Sequence, residues 1–376
     1  MTEFLIVGAG FAGAVIARVL ADAGFSCHVI DKRKHVGGNA YDYIDSSTSV
    51  RVHKYGPHLF HASLDSPAVR FLSRFTEWIP YEHRVRALLP DGRTTPLPVN
   101  ATTLEDIFNV KLESQDDARC LINNVRLGDL NVTNTDEYFL HSVGPELSNL
   151  FFRPYTKKMW GIDPSLLAKD IGSRLKVRFD RDDRYFLDDF QALPSNGYYH
   201  LFLNLLSHEN ISVRLNEPFM YSMLQDYRHS FLSIPIDEFY SFQYGSLPYR
   251  SILFHHAIQR KGLSVSPVVN FTDNSRYTRV TDWSMLSNSY SSVPTLSVPD
   301  TIVTREEPVA LSLNPGEFYY PVNTADSRIM YLKYKYMAAK ENAFTFIGRT
   351  GLFSYIDMAP CVNMHLSIAK SFLANL

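Results

Sequence analysis

The feature that most constrains the fold is a glycine-rich turn between a short apolar run and a segment of helical periodicity. Phe4–Val7 predicts a buried strand, Gly8–Gly13 reads GAGFAG, and Ala14–Ala23 predicts a helix. In a G-x-G-x-x-G turn the first glycine makes the bend, the second admits a pyrophosphate, and the third lets the helix pack on the strand. A second apolar strand ends at Asp31, whose carboxylate can bind ribose hydroxyls. We therefore predict a β-α-β dinucleotide-binding unit with the pyrophosphate at the helix N-terminus.

Two further features indicate which dinucleotide the turn binds. They are a second glycine pair and a strand near the C-terminus. After the second strand the chain runs through the basic letters KRKH to Gly37, Gly38 and Asn39. Glycines there let the backbone pass close to a diphosphate or a ribityl chain. Near the C-terminus, Phe344–Gly348 predicts a strand followed by Arg349, whose guanidinium can pair with a phosphate. The combination is typical of FAD enzymes more than of NAD dehydrogenases, although a solvated loop would also explain the second glycine pair.

Composition and charge exclude several classes of protein. The chain has 376 residues, enough for two or three domains of roughly 100–200 residues. Its 37 basic and 39 acidic residues give a net charge of -2, so we expect no nucleic-acid partner. The three cysteines are scattered without C-x-x-C spacing, which argues against a disulfide scaffold or a metal site and fits a cytoplasmic location. The sequence has no apolar run of about 18 residues that would predict a membrane span.

The order of predicted elements indicates an interrupted nucleotide-binding domain. Helical spacing predicts helices over 101–150, and Ile211–Leu215 alternates like a strand. Residues 250–320 are rich in Val, Ser, Thr and Tyr with short alternations, which favours antiparallel sheet. The chain then ends with a strand and an amphipathic helix. We predict an α/β fold in which both termini build one domain and the middle of the chain is inserted into it.

Two clusters carry candidate binding chemistry. HKYGPHLFH, which covers 53–61, places histidines on a Gly-Pro turn where one or both can face a pocket. A buried structural histidine is the alternative, and metal binding is disfavoured because no third ligand is evident. The second cluster covers 151–161, where aromatic rings and basic side chains suit the base and phosphates of a nucleotide. A packed aromatic core with solvated basic residues would give the same pattern.

Several motifs occur here in the order found in UDP-galactopyranose mutases, and together they span nearly the whole chain. They are GAGFAG, DKRKHVGGNAYDY, HKYGPHLFH, PYTKKMWG, RLKVRF followed by DDRYF, SRYTRVT, FYYPVN and FIGRTGLFSYIDM. The chain therefore resembles this flavoenzyme family. The resemblance implies an active site between three domains: a discontinuous Rossmann-type FAD-binding domain (1–78, 205–245 and 322–376), an inserted helical substrate domain (100–172) and an antiparallel β-sheet domain (79–99, 173–204 and 246–321).

The resemblance also implies a reaction. Members of the family interconvert the six-membered and five-membered ring forms of a UDP-linked galactose with no net redox change, and they need reduced FAD. In the family mechanism the reduced flavin N5 attacks the anomeric carbon and displaces UDP, the sugar ring opens as a flavin iminium adduct, and it recloses through O4. The implied partners are a nucleotide-sugar substrate and an external reductant, and a homodimer is expected because family members often form one.

Roles follow from the resemblance residue by residue. Arg174 and Arg279 would hold the diphosphate and stabilise the leaving UDP, with Arg174 on a mobile loop. His58 would lie against the flavin, His61 near the sugar and Asp357 near both, which completes the catalytic candidates. The other substrate-binding candidates are Phe151, Phe152, Tyr155, Thr156, Trp160, Tyr185, Asn270, Tyr320 and Tyr355. The FAD-binding candidates are Gly8, Gly10, Phe11, Ala12, Gly13, Asp31, Lys32, Arg33, Gly38, Asn39, Tyr55, His58, Arg349, Asp357 and Met358, and no metal ligand is expected.

Some positions depart from the usual family pattern and leave the sugar and base open. They are Pro154 in place of Gly, Met159 in place of Gln, Asp282-Trp283 in place of Glu-His, and Phe353 in place of Tyr. A dTDP-linked fucose or a UDP-linked N-acetylgalactosamine is therefore an alternative substrate. His61, rather than an arginine that could reach an acetamido carbonyl, favours a plain or deoxy sugar. An FAD-dependent oxidoreductase of the amine-oxidase type is a remote alternative, because it shares the flavin motifs but not the paired arginines.

Overall fold

The computed structural model describes residues 3–128, 131–172, 177–287 and 299–376. The candidate Arg174 lies outside the described residues. In chain order the strands are β1 (Phe4–Val7), β2 (Cys27–Asp31), β3 (Asp42–Ile44), β4 (Arg51–His53), β5 (Phe60–Ala62), β6 (Trp78–Pro80), β7 (Val85–Leu88), β8 (Thr94–Leu97), β9 (Phe190–Pro194), β10 (Ile211–Leu215), β11 (His229–Leu232), β12 (Tyr249–Arg260), β13 (Val268–Phe271), β14 (Arg279–Asp282), β15 (Asp300–Ala310), β16 (Tyr320–Pro321) and β17 (Phe344–Phe346). The α-helices are α1 (Phe11–Asp22), α2 (Pro67–Leu72), α3 (Ala101–Phe108), α4 (Gln115–Val125), α5 (Thr135–Leu147), α6 (Arg153–Trp160), α7 (Lys169–Gly172), α8 (Gly197–Leu206), α9 (Ile236–Phe239), α10 (Trp283–Ser287), α11 (Ala325–Ala338), α12 (Gly348–Gly351) and α13 (Met358–Ala374).

A parallel sheet joins the two ends of the chain. Its five strands follow the order β10-β2-β1-β11-β17, and each neighbouring pair is parallel. Every residue of β1 is buried, as expected for a strand covered on both faces. Helix α1 packs against α13 and α8, and the core there includes Phe4, Val29 and Phe202. The predicted α/β class is confirmed, and strands from both ends of the chain share this sheet.

The second sheet is larger and mixed. Its strands follow the order β16-β12-β15-β14-β13-β7-β8. Its neighbouring pairs are antiparallel, as predicted for this part of the chain, with the exception of β7 and β13, which run parallel. Parallel strands need a long crossover between them. The helices α3 to α8 lie between β7 and β13 in the chain and supply that crossover.

Helices α3 to α7 form a region with its own core. Leu104, Phe139 and Leu147 are buried there. Gly144 (φ 78) breaks the helical path near the end of α5, and a π-helical turn, Ser148–Phe152, leads directly into α6. Such irregular turns re-aim side chains and occur often at functional sites. Here the turn presents two aromatic rings at the start of α6.

Two details qualify the predicted elements. The strand predicted over 344–348 ends at Phe346, because Gly348 has φ 70 and opens the short helix α12. Helix α8 packs in the core of the parallel sheet, although most of it falls in the range 173–204 predicted for the sheet domain. The domain boundaries stay a prediction. Within the described ranges, no helix is long and apolar enough to cross a membrane.

Candidate functional site

A cavity of about 760 Å³ opens at the carboxyl ends of β1, β2 and β11. This edge of a parallel α/β sheet is where such folds bind ligands. The first turn of α1, the loop 37–40 and the starts of α12 and α13 also line it. Helix α1 begins at the cavity with Gly10 as its N-cap, and no side chain caps its first N–H groups. These N–H groups and the helix dipole can therefore act on an anion.

Glycines create the close approaches around the cavity. A Cβ on Gly13 would lie 1.9 Å from the carbonyl oxygen of Gly8, so α1 can lie against the turn only with glycine there. Gly38 has φ 54, and a Cβ on it would lie 3.1 Å from the Cα of Gly10. Two backbone segments thus face each other across a narrow gap without side chains. Such a cradle fits a diphosphate.

The acid at the end of β2 organises one end of the cavity. Asp31 is buried, and its carboxylate accepts hydrogen bonds from the N–H groups of Ala9 at 2.8 Å and Arg33 at 2.9 Å. The Arg33 guanidinium donates to Asn39 Oδ1 at 2.9 Å and lies 4.4 Å from the centre of the Tyr55 ring. Asp31 therefore ties the glycine turn to the sheet, and Tyr55 supports Arg33.

Arg349, in the short helix α12, lines another side of the cavity. Its guanidinium donates to the carbonyl oxygens of Tyr319 at 2.9 Å and Ile356 at 3.0 Å. It also lies 4.7 Å from the centre of the Tyr355 ring and 5.9 Å from that of Tyr320. A positive charge is thereby held at a fixed point between the cavity and two tyrosines.

His58 lines the cavity as a neutral side chain. Its Nδ1 lies 2.8 Å from the Gly56 carbonyl oxygen, which can only accept, so Nδ1 carries the proton and Nε2 is an acceptor. Burial lowers the pKa of His58 to about 4, and the charges of Arg349 and Arg279 act in the same direction. At pH 7 the ring can accept a hydrogen bond at Nε2 but carries no charge.

Three polar side chains form a row across the second sheet. Asn270 on β13 pairs with Arg279 on β14, and Arg279 pairs with Glu306 on β15. Directly paired residues project from the same face of a sheet. Arg279 Nε lies 2.8 Å from Glu306 Oε2. Burial raises the pKa of Glu306, and the guanidinium beside it acts in the opposite direction. We call Asn270, Arg279 and Glu306 the polar row.

Several buried oxygen atoms of the polar row have no hydrogen-bond partner among the described residues. They are Asn270 Oδ1 and the two carboxylate oxygens of Glu306. Arg279 lies close to Glu306, but the contact is not aligned as a hydrogen bond. Most buried polar atoms in folded proteins are hydrogen-bonded, so such atoms need an explanation. A polar ligand or ordered water at the row would supply one.

A small aromatic pocket adjoins the polar row. Phe151 and Phe152 from the π-helical turn, Tyr155 from α6 and Tyr185 line it together with Asn270. Burial raises the pKa of Tyr155 far above its usual range, so its hydroxyl stays a donor at neutral pH. Flat aromatic walls with an amide at one edge suit a planar ring that carries polar groups. We call this site the aromatic pocket.

Tyrosines connect the aromatic pocket with the cavity. Tyr155 and Tyr320 both interact electrostatically with Arg279. The centre of the Tyr320 ring lies 5.2 Å from that of Tyr355 and 5.8 Å from that of Trp160. Since Tyr355 lies 4.7 Å from the guanidinium of Arg349, neighbouring side chains link the aromatic pocket to the cavity. The residues predicted for a nucleotide therefore lie next to those predicted for a flavin.

Lys158 fixes the two halves of the substrate side to each other. From α6, its ammonium donates to the carbonyl oxygens of Phe271 at 2.9 Å, Asp273 at 3.0 Å and Tyr277 at 2.9 Å. An ammonium group has three N–H donors, so this contact uses all of them. The three carbonyls belong to the last residue of β13 and to the connection between β13 and β14. Lys158 thereby holds the polar row against the helix that carries the aromatic pocket.

Comparisons with known proteins agree with this arrangement. A family model described as UDP-galactopyranose mutase matches residues 150–355, and a model of an NAD(P)-binding Rossmann-like domain matches residues 6–75. A relative from Klebsiella pneumoniae named probable UDP-galactopyranose mutase is 38% identical over 99% of this chain and 95% of its own length. The chain belongs to the UDP-galactopyranose mutase family.

This member of the family is also similar to a second named relative and to a solved structure. A protein from Escherichia coli named dTDP-fucopyranose mutase is 34% identical over 100% of this chain and 99% of its own length. The crystal structure of a reduced UDP-galactopyranose mutase covers 100% of this chain and 96% of its own, with a TM-score of 0.75. At 16% identity, that structure shows the shared fold alone.

Most residues predicted for FAD meet at the cavity of this family member. The residues that line it are Gly8, Gly10, Phe11, Ala12, Asp31, Lys32, Arg33, Gly38, Asn39, His58, Arg349 and Met358. Gly13 and Tyr55 support these residues without lining the cavity, and Asp357 is the residue before α13. Their roles in binding remain predictions.

Six of the described substrate-side candidates are not among the residues that line the cavity or the aromatic pocket: His61, Thr156, Trp160, Arg279, Tyr320 and Tyr355. Thr156 is buried in α6, directly after Tyr155. His61 Nδ1 lies 2.9 Å from Asp188 Oδ2, and its ring stacks on Phe186 with centres 3.6 Å apart. The predicted contact between His61 and the sugar therefore stays a prediction.

The structure also adds residues that the sequence analysis did not name. Ser233 lines the cavity directly after β11, and recognising that segment as a parallel strand beside β1 would have predicted it. Glu306 has no local signal, because only the register of β14 and β15 brings it to Arg279. Lys158 reads as one of two adjacent lysines in the sequence. Only the structure distinguishes it from Lys157, which is exposed.

Three of the positions that depart from the family pattern serve for packing. Met159 and Phe353 are buried, and Trp283 is fully buried. The Trp283 indole N–H donates to Thr304 Oγ1, and its ring lies 5.2 Å from that of His53. These side chains lie apart from the residues that line the cavity and the aromatic pocket. Their replacement therefore alters the core more than the walls of the site.

Proposed function

We propose that this chain is an FAD-dependent isomerase that interconverts UDP-galactopyranose and UDP-galactofuranose. The observation that carries the proposal is the series of neighbouring side chains that links a dinucleotide-type cavity to Arg279 and the aromatic pocket. A flavin site and a nucleotide-sugar site that share one cleft are what such a reaction requires. The family membership and the 38% identity to a relative named as this mutase support the proposal.

FAD fits the cavity on features of this chain. The first turn of α1 offers N–H groups to a diphosphate, and Gly10 and Gly38 leave room for it between two backbones. Arg33 and Asn39 would hold the nucleotide end. Met358 opens α13, whose N-terminus favours the negative charge of a reduced flavin ring. When bound and reduced, the flavin supplies the nucleophile for the anomeric carbon, and it ends the cycle in its starting redox state.

The polar row and the aromatic pocket would hold the nucleotide diphosphate. Arg279 would pair with the phosphates, while the base would lie between the rings of the pocket. Burial raises the pKa of Tyr320 as well as that of Tyr155, so both hydroxyls remain donors at neutral pH. They add hydrogen bonds to the phosphates without adding charge.

Arg279 would also stabilise the leaving group. As the bond between the sugar and UDP breaks, negative charge grows on the diphosphate, and a guanidinium in a partly dry site stabilises it more strongly than water would. Arg174 would supply a second cation, a role that rests on the family resemblance. We further propose an external reductant, a homodimer and a cytoplasmic location.

The main alternative keeps the chemistry and changes the sugar or its nucleotide. The 34% identity to a relative named dTDP-fucopyranose mutase favours a dTDP-linked 6-deoxy sugar as the second candidate. A UDP-linked N-acetylgalactosamine is a third, and an amine-oxidase-like activity is remote.

A direct assay tests the proposal. The purified protein would be reduced with dithionite and incubated separately with UDP-galactofuranose and dTDP-fucofuranose, and the products separated by anion-exchange chromatography. Conversion of the UDP sugar is expected. Conversion of the dTDP sugar alone would identify the second candidate, a dTDP-linked 6-deoxy sugar, as the substrate. Failure of both by a yellow, reducible protein would overturn the proposal for these two sugars and leave the third sugar or the oxidase activity.

The oxidation state supplies a second test. The oxidised protein should be inactive until it is reduced, because only the reduced flavin supplies the nucleophile. Full activity with oxidised flavin would contradict the proposed mechanism. Steady peroxide production with an amine substrate would instead support the oxidase alternative.

A further inference from the structure

Helix α11 presents an apolar stripe to solvent. Ile329, Leu332 and Tyr336 are 57%, 58% and 67% exposed. At about 100° per residue, these three positions lie within roughly 60° of one another on the helix. Ser327 and Tyr334, on the opposite face, are buried and complete the packing of α11 on the domain. A stripe of large apolar side chains that the fold leaves uncovered indicates an interaction surface.

Cations flank this stripe on both sides. The segment 325–340 contains four cations and one acid, Asp326, in a chain whose net charge is -2. The four cations are exposed. By helical position Lys333 lies on one side of the stripe and Arg328 and Lys335 lie on the other, while Lys340 follows the end of the helix. Lysine and arginine stems add apolar area while their charged ends reach outward.

A neighbouring loop adds aromatic rings to the same surface. Phe242 and Tyr244 are 47% and 38% exposed. The Tyr244 N–H donates to the Tyr334 hydroxyl at 2.9 Å, which fixes the loop to α11. Lys333 Nζ lies 5.7 Å from the centre of the Tyr244 ring, and just beyond the helix Lys340 Nζ lies 4.2 Å from that of Tyr336. The loop and the helix therefore form one patch of aromatic, aliphatic and cationic groups.

We propose that this patch, formed by the exposed face of α11 and residues 242–244, docks on an anionic lipid surface. An apolar stripe bordered by lysine and arginine, with aromatic rings beside it, is the pattern of helices that lie in the plane of a membrane interface. Charge complementarity favours lipid over a second copy of the chain, because a symmetric pair would set these cations against each other. The patch is small, so docking is reversible and depends on the charges.

Vesicle flotation tests the proposal on the full-length, flavin-loaded protein. The two probes are vesicles of phosphatidylcholine alone and vesicles that also contain phosphatidylglycerol, both at low salt. The protein should float with the anionic vesicles, remain with the soluble fraction beside the neutral ones, and dissociate as salt is raised. Equal binding to both vesicles, or binding to neither, would overturn the proposal.

A pair of matched double variants locates the surface. Lys333→Ser with Leu332→Ser removes one cation and one exposed leucine from the patch, and the loss of the lysine alone should weaken binding about fivefold. Arg260→Ser with Leu263→Ser makes the same change at the end of β12, where Leu263 is 69% exposed, and should leave binding unchanged. Both variants should keep the melting temperature and the activity of the parent. Equal losses in the two variants would contradict the assignment of the surface.

Light scattering separates the lipid proposal from self-association. If Leu332→Ser converts an oligomer to a smaller species, the stripe is an interface between copies of the chain, and the lipid proposal fails. An unchanged molar mass, together with lost flotation, is the expected result.

Discussion

Arg279 and Glu306 face each other on neighbouring antiparallel strands, with Arg279 Nε 2.8 Å from Glu306 Oε2. The carboxylate is 1% exposed, whereas the guanidinium side chain is 23% exposed. Glu306 is thus fully buried in the sheet, whereas Arg279 remains partly accessible from the site. Glu306 partly neutralises Arg279, so a diphosphate bound as proposed would meet a cation whose charge is already partly compensated by the carboxylate.

Replacing Glu306 with Gln should lower stability and enlarge the response to nucleotide. The substitution leaves the Arg279 guanidinium without its carboxylate partner. We expect the free energy of unfolding to fall by about 1–3 kcal/mol, at the low end of the range for a lost ion pair because Arg279 is partly exposed. UDP would then restore the missing negative charge. Thermal melting with and without UDP measures both effects. Glu307→Gln is the matched control, because Glu307 Oε2 instead lies 2.8 Å from His255 Nε2. If UDP raised the melting temperature of the two variants equally, the idea that Glu306 compensates the charge of Arg279 would be refuted.

Replacing Arg279 with Ala should reduce turnover by at least a factor of about 10² while FAD stays bound. The flavin cavity has its own arginines, whereas Arg279 lies in the polar row. Turnover and flavin absorbance of the purified variant give the two readings. Arg276→Ala removes an exposed guanidinium from the same hairpin and should change neither. Loss of FAD from Arg279→Ala would mean that this residue belongs to the cofactor site.

Replacing Lys158 with Met should destabilise the protein and weaken UDP binding together. The thioether side chain keeps much of the volume but leaves three carbonyl oxygens without their donor, at about 1–3 kcal/mol for a buried group that loses its partner. The polar row would then shift relative to the aromatic pocket. Lys157→Met, on the exposed side of the same helix, is the control. Melting curves measure the loss of stability, and UDP titration measures the loss of affinity. An unaltered UDP affinity in Lys158→Met would contradict the role of Lys158 in positioning the polar row.

Replacing Gly38 with Ala should reduce flavin content. The new Cβ would lie 3.1 Å from the Cα of Gly10 and intrude on the gap between the two backbones. Gly24→Ala is the control: its φ of 91 is also positive, but none of the described atoms would lie within 4 Å of the new Cβ. Each substitution should cost about 1–2 kcal/mol of stability. Only Gly38→Ala should also lower the flavin absorbance of the purified protein, and equal flavin loss in both variants would argue against the cradle.

The stability of the protein should fall as the pH is lowered from about 6.5 to 4. An unfolded histidine has a pKa of about 6.5. Burial lowers the pKa of both His58 and His35 to about 4 in the folded protein. In that window the unfolded chain binds more protons, so acid favours unfolding, and the stabilisation is fully present above pH 6.5.

The variant His58→Asn tests the contribution of one histidine. The amide can still donate to the Gly56 carbonyl but does not titrate. The free energy of unfolding, measured with urea at several pH values, should then change less steeply, by up to about 1.4 kcal/mol per pH unit. The exposed His200→Asn serves as control. Parallel pH profiles for His58→Asn and the parent would contradict the buried neutral state.

The local parts of the site were predictable because their signals are local. A strand, a G-x-G-x-x-G turn and a helix follow one another within 20 residues, and steric rules assign each glycine a task. The aromatic and basic cluster of 151–161 was also visible. The sequence could not distinguish a nucleotide pocket from a packed core there, because both use the same residue types.

From the residues alone we predicted the α/β class, the dinucleotide-binding turn, the return of the last strand to the first sheet and the family. The folded chain was needed to show that Glu306 partners Arg279, that Lys158 rather than Lys157 holds the β13–β14 hairpin, and that α11 leaves an apolar stripe exposed. The reason is physical. Helix and turn signals depend on residues a few positions apart, whereas strand register and helix placement join residues far apart in the chain, and no local spacing records which of them will meet.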